Sequence, residues 1–171
     1  NLESGQAREA IATVRSSPHL RLVGLHSHTG TFILDPRAYA AQVRILCGLM
    51  KEVEADGNTR LDYLDIGGGL PSRNALQGIY LPPEQVVPDR EEFAEAICTA
   101  FLDGTAWREE RGDERPALVF ESGRAVVDDA QVLVTSVVGR KKLPNGCPAG
   151  ILDAGINVLF TALWYNHDVR L

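Results

Sequence analysis

The sequence of 171 residues is poor in lysine, in cysteine and in long apolar stretches. No apolar run approaches the roughly 20 positions of a membrane-spanning helix, and the N-terminus is not signal-like, so no membrane segment is expected. Three widely spaced cysteines, an odd number, argue against a disulfide framework and favour a reducing, cytoplasmic location. Cys47 and Cys98 fall in apolar or helical patterns that predict core packing, whereas Cys147 falls in a Pro/Gly loop that predicts exposure. A net charge of −6 argues against a nucleic-acid partner.

Lysine is confined to Lys51, Lys141 and Lys142, beside fourteen arginines. The sequence starts with Asn1 rather than methionine and runs into Leu171 without a closing element. We therefore expect a piece of a longer protein. With 44% hydrophobic and 23% charged residues the piece can bury a core, as one domain or as one domain plus part of another.

The most informative stretch that is present is LDIGGGLP at residues 64–71. The apolar run 61–66 predicts a buried strand, and the three glycines that follow allow backbone N–H groups to approach an anion closely. A strand that ends in such a loop is a common phosphate site in α/β proteins. The alternative is a tight turn with a purely structural role. A nicotinamide site is rejected, because the third glycine of G-x-G-x-x-G and the acidic residue about 20 positions later are both missing.

Helices and strands alternate along the first two thirds of the chain. Helices are predicted at 3–16 with Ser4 as N-cap, at 35–53 with Asp35-Pro36 as start, and at 91–111, whose charged side is predicted to be solvated. Buried apolar strands are predicted at 20–25, 61–66 and 116–120. This order is typical of a parallel sheet covered by helices, in a barrel or a doubly wound fold. Residues 72–87 have no clear period and predict an irregular rim or lid loop.

The pattern changes after Arg124. Residues 131–138 and 150–153 predict two successive strands joined by a turn at 143–146. Two strands without an intervening helix indicate an antiparallel sheet, and hence a second domain that begins near residue 130.

Three polar clusters follow the three predicted parallel strands: HSHTGT at 26–31, the glycines at 67–69 and ESGR at 121–124. His26 and His28 would point to the same face. They could be a metal pair as in barrel hydrolases, could include a ring-stacking or acid–base histidine beside a cofactor, or could be ordinary hydrogen-bonded core residues. Glu121 and Arg124 could form a local ion pair, but arginine also suits bidentate phosphate binding.

These clusters, followed by ILDAGIN at 151–157, together resemble the fold-type III pyridoxal-phosphate decarboxylases, the family of diaminopimelate, ornithine and arginine decarboxylases. The resemblance extends over residues 20–165. It implies an α/β fold in which residues 1–129 are the C-terminal part of a (β/α)8 TIM barrel of the alanine racemase type. Residues 130–171 would then start a β-sandwich domain. It further implies decarboxylation of an amino acid, with pyridoxal 5'-phosphate as cofactor, by a homodimer whose active sites lie at the subunit interface.

The resemblance also assigns the site residues. The catalytic pair would be His28, which stacks on the cofactor ring, and Glu121, which keeps the pyridine nitrogen protonated. Substrate contacts fall on Thr161 and Tyr165, and no metal is implied. Cofactor phosphate contacts fall on Thr31, Gly67, Gly68, Gly69, Gly123 and Arg124.

The sequence departs from the family in its lysines. The lysine that binds the cofactor covalently has no counterpart, since Lys51 lies in an outer helix and Lys141 and Lys142 lie in the second domain. That lysine is expected before Asn1, and the Cys and Asp motif that acts across the dimer is expected after Leu171. The piece alone is therefore expected to be inactive.

The sequence also departs at Thr161, which stands where diaminopimelate decarboxylases have the arginine that grips the distal end of the substrate. The expected substrate is therefore not meso-diaminopimelate but lysine, ornithine, arginine or a specialised-metabolite precursor, free or carrier-bound. An amino-acid racemase or a non-catalytic pyridoxal-phosphate protein on the same barrel is the first alternative. A metal-dependent barrel hydrolase built on His26 and His28 is the next.

Overall fold

The computed structural model describes residues 1–73, 78, 82, 86–128, 130–167 and 169–170. They belong to two compact units. Unit 1 comprises Asn1–Leu70 and Pro88–Ser122, and unit 2 comprises Pro71–Val87 and Gly123–Leu171. The predicted domain boundary between residues 129 and 130 stays a prediction. The predicted rim or lid loop at 72–87 lies largely outside the described residues.

Unit 1 alternates helices with short parallel strands. The strands are in the order β1-β2-β3, with Leu25 opposite Leu64 and Leu64 opposite Leu118, which confirms the predicted parallel sheet. The elements are α1 (Gln6–Ser16), β1 (Gly24–His26), α2 (Pro36–Val53), β2 (Tyr63–Asp65), α3 (Arg90–Glu110) and β3 (Ala117–Val119).

Helix α2 begins and packs as its sequence predicts. The Asp35 side chain accepts a hydrogen bond from the Arg37 N–H, with Pro36 at the first helical position. The predicted apolar face, which includes Tyr39 and Val43, is buried along the whole helix. For α1 the predicted N-cap Ser4 is wrong, because the cap is Gly5 and the Ser4 hydroxyl donates to the Asn1 carbonyl and the Gln6 side chain instead of accepting from a helix N–H.

The three strands are shorter and less buried than their apolar sequences predict. Leu25 and Leu64 pack into the core that α2 and α3 form against the sheet. The alternating neighbours point to the other face, where Tyr63 is 37% exposed and Ala117 is also exposed. The prediction of fully buried strands is therefore wrong for this chain, because the helices of unit 1 cover one face of its sheet.

A buried ion pair joins the two core helices near the starts of β2 and β3. Glu54, just after α2, and Arg108, in α3, have side chains only 6% and 1% exposed. The Glu54 carboxylate also accepts from the Leu61 N–H at 2.7 Å, and Arg108 donates to the carbonyls of Leu61 at 2.7 Å and Glu114 at 3.1 Å. The prediction that the charged side of α3 is solvated is therefore wrong at Arg108.

Unit 2 contains a short helix, an antiparallel strand pair and a 3-10 turn. Its elements are α4 (Arg124–Val127), β4 (Val137–Lys142), β5 (Pro148–Leu152) and the 3-10 helix Phe160–Leu163. Strands β4 and β5 pair antiparallel, as predicted. The first strand starts at Val137 rather than at 131, because residues 131–136 have β-forming side chains but are in no strand ladder.

The cysteines divide by burial. Cys47 is buried in α2, and burial raises the pKa of its thiol to about 11. Cys98 was predicted in the core but is exposed, because its neighbour Ile97 occupies the packed face of α3. Cys147 is exposed, as predicted. Among the described residues, none of the helices combines the length and the apolar character that crossing a membrane requires.

Replacing Arg108 by methionine should lower the free energy of unfolding by about 3–5 kcal/mol, because it leaves the Glu54 carboxylate buried without its partner. Adding Glu54→Gln should recover much of that loss, since it removes the orphaned charge and keeps an acceptor for the Leu61 N–H. Urea unfolding of the intact variants measures both effects.

The matched control is Arg111→Met. The Arg111 side chain is 52% exposed in its ion pair with Asp113, so the change should cost about 1 kcal/mol or less. Equal losses for Arg108→Met and Arg111→Met would contradict a stabilising role for the buried pair.

Candidate functional site

The three predicted polar clusters begin at one edge of the sheet, where β1, β2 and β3 end. Backbone hydrogen bonds continue past the strands, from Ser27 N–H to Asp65 O at 3.0 Å and from Ile66 N–H to Val119 O at 3.1 Å. The Glu121 N–H then donates to Gly67 O at 2.9 Å. Residues at the carboxyl ends of parallel strands are thus fixed beside one another, as in barrel active sites.

The glycine loop, residues 67–69, lies where the other two strand-end loops approach most closely. A Cβ on Gly68 would lie 2.5 Å from the carbonyl oxygen of Glu121, and one on Gly69 would lie 1.8 Å from that of Gly30. Gly69 also has a φ of 83°, in the left-handed region. Packing alone therefore requires glycine at these two positions. This supports the alternative that the sequence left open, namely that the motif is a tight turn with a structural role.

Two of the three glycine amides donate inside the protein. Gly67 N–H bonds to the Asp65 carboxylate at 2.9 Å, and Gly68 N–H bonds to His28 Nδ1 at 3.2 Å. Nδ1 of His28 is therefore an acceptor, which puts the proton of the neutral ring on Nε2. The glycine motif thus orients one of the predicted catalytic side chains.

Helix α2 contributes two residues that the sequence analysis did not assign to the site. Gln42 is 7% exposed, and its Nε2 donates to Ser27 O at 2.6 Å and to Ile66 O at 3.0 Å. The Tyr39 hydroxyl donates to Gly68 O at 3.3 Å, and burial raises the pKa of this phenol, which keeps it a donor. The sequence does contain a signal for Gln42, because it is a polar residue within the otherwise apolar stripe of α2.

The exposed part of this edge is rich in imidazole and carboxylate groups. His26 Nε2 and Glu121 Oε1 are 3.7 Å apart, and both side chains are about half exposed. With Asp65 they form a group whose ligand atoms lie within 4.8 Å of one another, a spacing that could hold a metal ion. His28 is not part of that group. His28 and Thr31 are also exposed, and Thr31 lies against Gly69.

The remaining predicted site residues belong to unit 2. Arg124 opens α4, and a Cβ on Gly123 would meet no described heavy atom within 4 Å. The structure brings the Arg124 guanidinium over the ring of Tyr165, which is 5% exposed. It pairs the Thr161 hydroxyl with His167 Nε2 at 3.3 Å.

Comparison with known proteins gives consistent similarities. Residues 2–128 match the sequence model described as "Pyridoxal-dependent decarboxylase, pyridoxal binding domain". A diaminopimelate decarboxylase of Methanothermobacter thermautotrophicus is 35% identical over 143 residues, which are 84% of this chain and 31% of that protein.

Two solved structures are similar over most of the chain. Diaminopimelate decarboxylase from M. jannaschii matches with a TM-score of 0.69 and 27% identity, over 91% of this chain and 32% of that one. Lysine/ornithine decarboxylase from Vibrio vulnificus, complexed with putrescine, matches with a TM-score of 0.65 and 27% identity, over 92% of this chain and 38% of that one. The chain thus spans about a third of the length of these relatives.

Replacing Gly69 by alanine should destabilise the protein by several kcal/mol, because the added Cβ would clash with the backbone of Gly30. The left-handed φ of Gly69 adds a further cost for any residue that has a Cβ. Gly57→Ala is the control, with a φ of 72° but no described atom within 4 Å of the added Cβ. It should cost only about 1–2 kcal/mol. Thermal unfolding measures both, and similar losses would show that close packing at Gly69 is unimportant.

Proposed function

This chain belongs to the pyridoxal-dependent decarboxylases, and from that membership we propose that the intact protein binds pyridoxal 5'-phosphate and decarboxylates an amino acid. The proposal rests on one observation, which is that His28, the glycine loop and Glu121 lie together at one edge of the sheet. Gly123 and Arg124 lie two and three residues after Glu121 in the chain.

The residues present fit the ring of this cofactor. Glu121 is an exposed carboxylate that would hold the proton on the pyridine nitrogen. His28 would lie against the ring face, in an orientation that the Gly68 amide fixes. When bound, the cofactor acts as an electron sink for the electron pair that remains after loss of CO2.

Donors suited to a phosphate group are also present in the chain. We assign the glycine-loop contact to the Gly69 amide, because the amides of Gly67 and Gly68 already donate to protein acceptors. The Thr31 hydroxyl and the Gly123 amide would add neutral donors. Packing does not require glycine at 123, which supports a close approach of a ligand there. The Arg124 guanidinium would supply the charge-assisted contact.

The architecture of the whole protein is part of the proposal. We propose that residues 1–129 belong to a (β/α)8 barrel and that 130–171 begin a β-sandwich domain. The parallel alternation of strand and helix in unit 1 and the antiparallel pair in unit 2 support this division. We also propose a cytoplasmic homodimer, in which the covalent lysine and the groups that act across the interface come from residues outside this sequence.

The substrate is proposed to be an amino acid other than meso-diaminopimelate. Thr161 offers one neutral hydroxyl, hydrogen-bonded to His167, at the position where the resemblance to diaminopimelate decarboxylases implies a guanidinium. A distal carboxylate left without a fixed positive partner would cost several kcal/mol. The neighbouring side chains are apolar, and the rings of Phe160 and Trp164 contact each other edge to face with their centroids 5.7 Å apart. Lysine, ornithine, arginine or a related precursor with a simpler distal end fits this site better.

The intact protein, mixed with pyridoxal phosphate, should develop visible absorbance and release labelled CO2 from a carboxyl-labelled amino acid. Cofactor absorbance without CO2 release, but with loss of substrate chirality, would favour a racemase. Cofactor absorbance alone would indicate a non-catalytic carrier. Absence of cofactor absorbance together with stoichiometric zinc would contradict the proposal and point to the group of His26, Asp65 and Glu121.

A substrate panel tests the assignment of Thr161. For the wild-type enzyme, kcat/KM for meso-diaminopimelate should lie at least tenfold below that for the best substrate, since several kcal/mol separate a paired from an unpaired carboxylate. The matched variant Thr161→Arg should raise kcat/KM for meso-diaminopimelate relative to kcat/KM for the best substrate of the wild-type enzyme. Highest activity of the wild-type enzyme on meso-diaminopimelate would overturn the assignment.

A further inference from the structure

Arg124 is held on two sides by side chains of its own unit. Its guanidinium carbon lies 3.5 Å from the centroid of the Tyr165 ring, over the ring face. Its Nη1 donates to Asp128 Oδ1 at 3.2 Å. The side chains of Arg124 and Asp128 are 21% and 16% exposed, so the ion pair is largely shielded from water. Such close stacking of a charged group on a buried ring restricts its orientation.

The surrounding backbone gives Arg124 little support of its own. Helix α4 consists of four residues, Arg124–Val127, and short helices are marginal without tertiary contacts. An arginine side chain on such a turn loses considerable rotamer entropy when it becomes fixed against a ligand. The Tyr165 ring removes part of that cost in advance, because it defines the plane in which the guanidinium lies.

We propose that Tyr165 is a positioning residue for Arg124, whose guanidinium it holds in the orientation that receives the cofactor phosphate. This inference rests on the proposed function, in which Arg124 binds that phosphate. It gives Tyr165 a role toward the phosphate end of the cofactor, whereas the family resemblance predicts that Tyr165 contacts the substrate. Asp128 restrains one edge of the same guanidinium.

The contact is made by the ring face, so the aromatic ring is what the inference requires. Phenylalanine keeps a π face and should replace tyrosine in this role, whereas leucine has no such face. Pyridoxal, which lacks the phosphate, shares every other feature of the cofactor. These two comparisons separate a role through Arg124 from a general effect on packing.

The experiment measures the Kd of the intact apoprotein for pyridoxal phosphate and for pyridoxal by absorbance titration. Tyr165→Leu should raise the Kd for pyridoxal phosphate about five- to thirtyfold, the range of a partly desolvated cation–π contact. Its Kd for pyridoxal should change by less than about twofold, and Tyr165→Phe should bind both ligands as the wild type does. If the leucine variant does not fold, Tyr165→Met takes its place, since methionine has a flexible side chain without a π face.

A double-mutant cycle with Arg124→Ala gives the deciding result. Tyr165→Leu should have no further effect on the Kd for pyridoxal phosphate once Arg124 is absent. Additive losses, an equal loss for pyridoxal, or an unchanged Kd in Tyr165→Leu would each overturn the inference while leaving the proposed function intact. A wild-type protein that binds no pyridoxal phosphate, or an Arg124→Ala variant with unchanged affinity, would overturn the assignment of Arg124 and the inference with it.

Discussion

The carbonyl groups of the glycine loop, which follows β2, hold the segments after β1 and β3 and helix α2 at fixed separations. In chain order, residues 67–69 accept hydrogen bonds from the Glu121 amide, the Tyr39 hydroxyl and the Phe32 amide. These contacts need a backbone without side chains, because the neighbouring loops occupy the space where Cβ atoms would lie. Every predicted ring-binding side chain is attached to one of the segments held in this way, so the loop is the constraint on which the site geometry depends.

The same loop has a structural role and a proposed binding role. Its amides at Gly67 and Gly68 orient Asp65 and His28, and its carbonyls anchor the neighbouring segments. A phosphate-binding loop must be rigid before the ligand arrives, since ordering it afterwards would reduce affinity. Packing and binding therefore favour the same residues. A glycine motif alone does not distinguish the packing role from the binding role. At Gly123, by contrast, an added Cβ would meet no described atom, so packing does not require glycine there.

The sequence predicts those parts of the structure that follow from local chemistry. The start of α2 follows from Asp35-Pro36, and the parallel order of the strands follows from their alternation with helices. Strand lengths and exposed faces are harder to predict, because they depend on which face the helices cover. Buried polar groups such as Gln42 and the Glu54–Arg108 pair are also missed. Their partners are up to 54 residues away in the chain, so no periodic pattern marks them.

The two ends of the sheet are held by different kinds of interaction, and this difference affects which substitutions the protein can tolerate. The Glu54–Arg108 pair contacts backbone that precedes β2 and β3, whereas the exposed histidines and carboxylates follow the strands. Most substitutions destabilise, and a protein tolerates new side chains only while its stability exceeds a threshold. Breaking the buried pair would use up much of that margin, whereas a change at an exposed position outside the proposed cofactor contacts, such as His26, would leave it intact. Diversification of this site should therefore keep the Glu54–Arg108 pair unchanged and vary those exposed side chains at the other end that take no part in the proposed cofactor contacts.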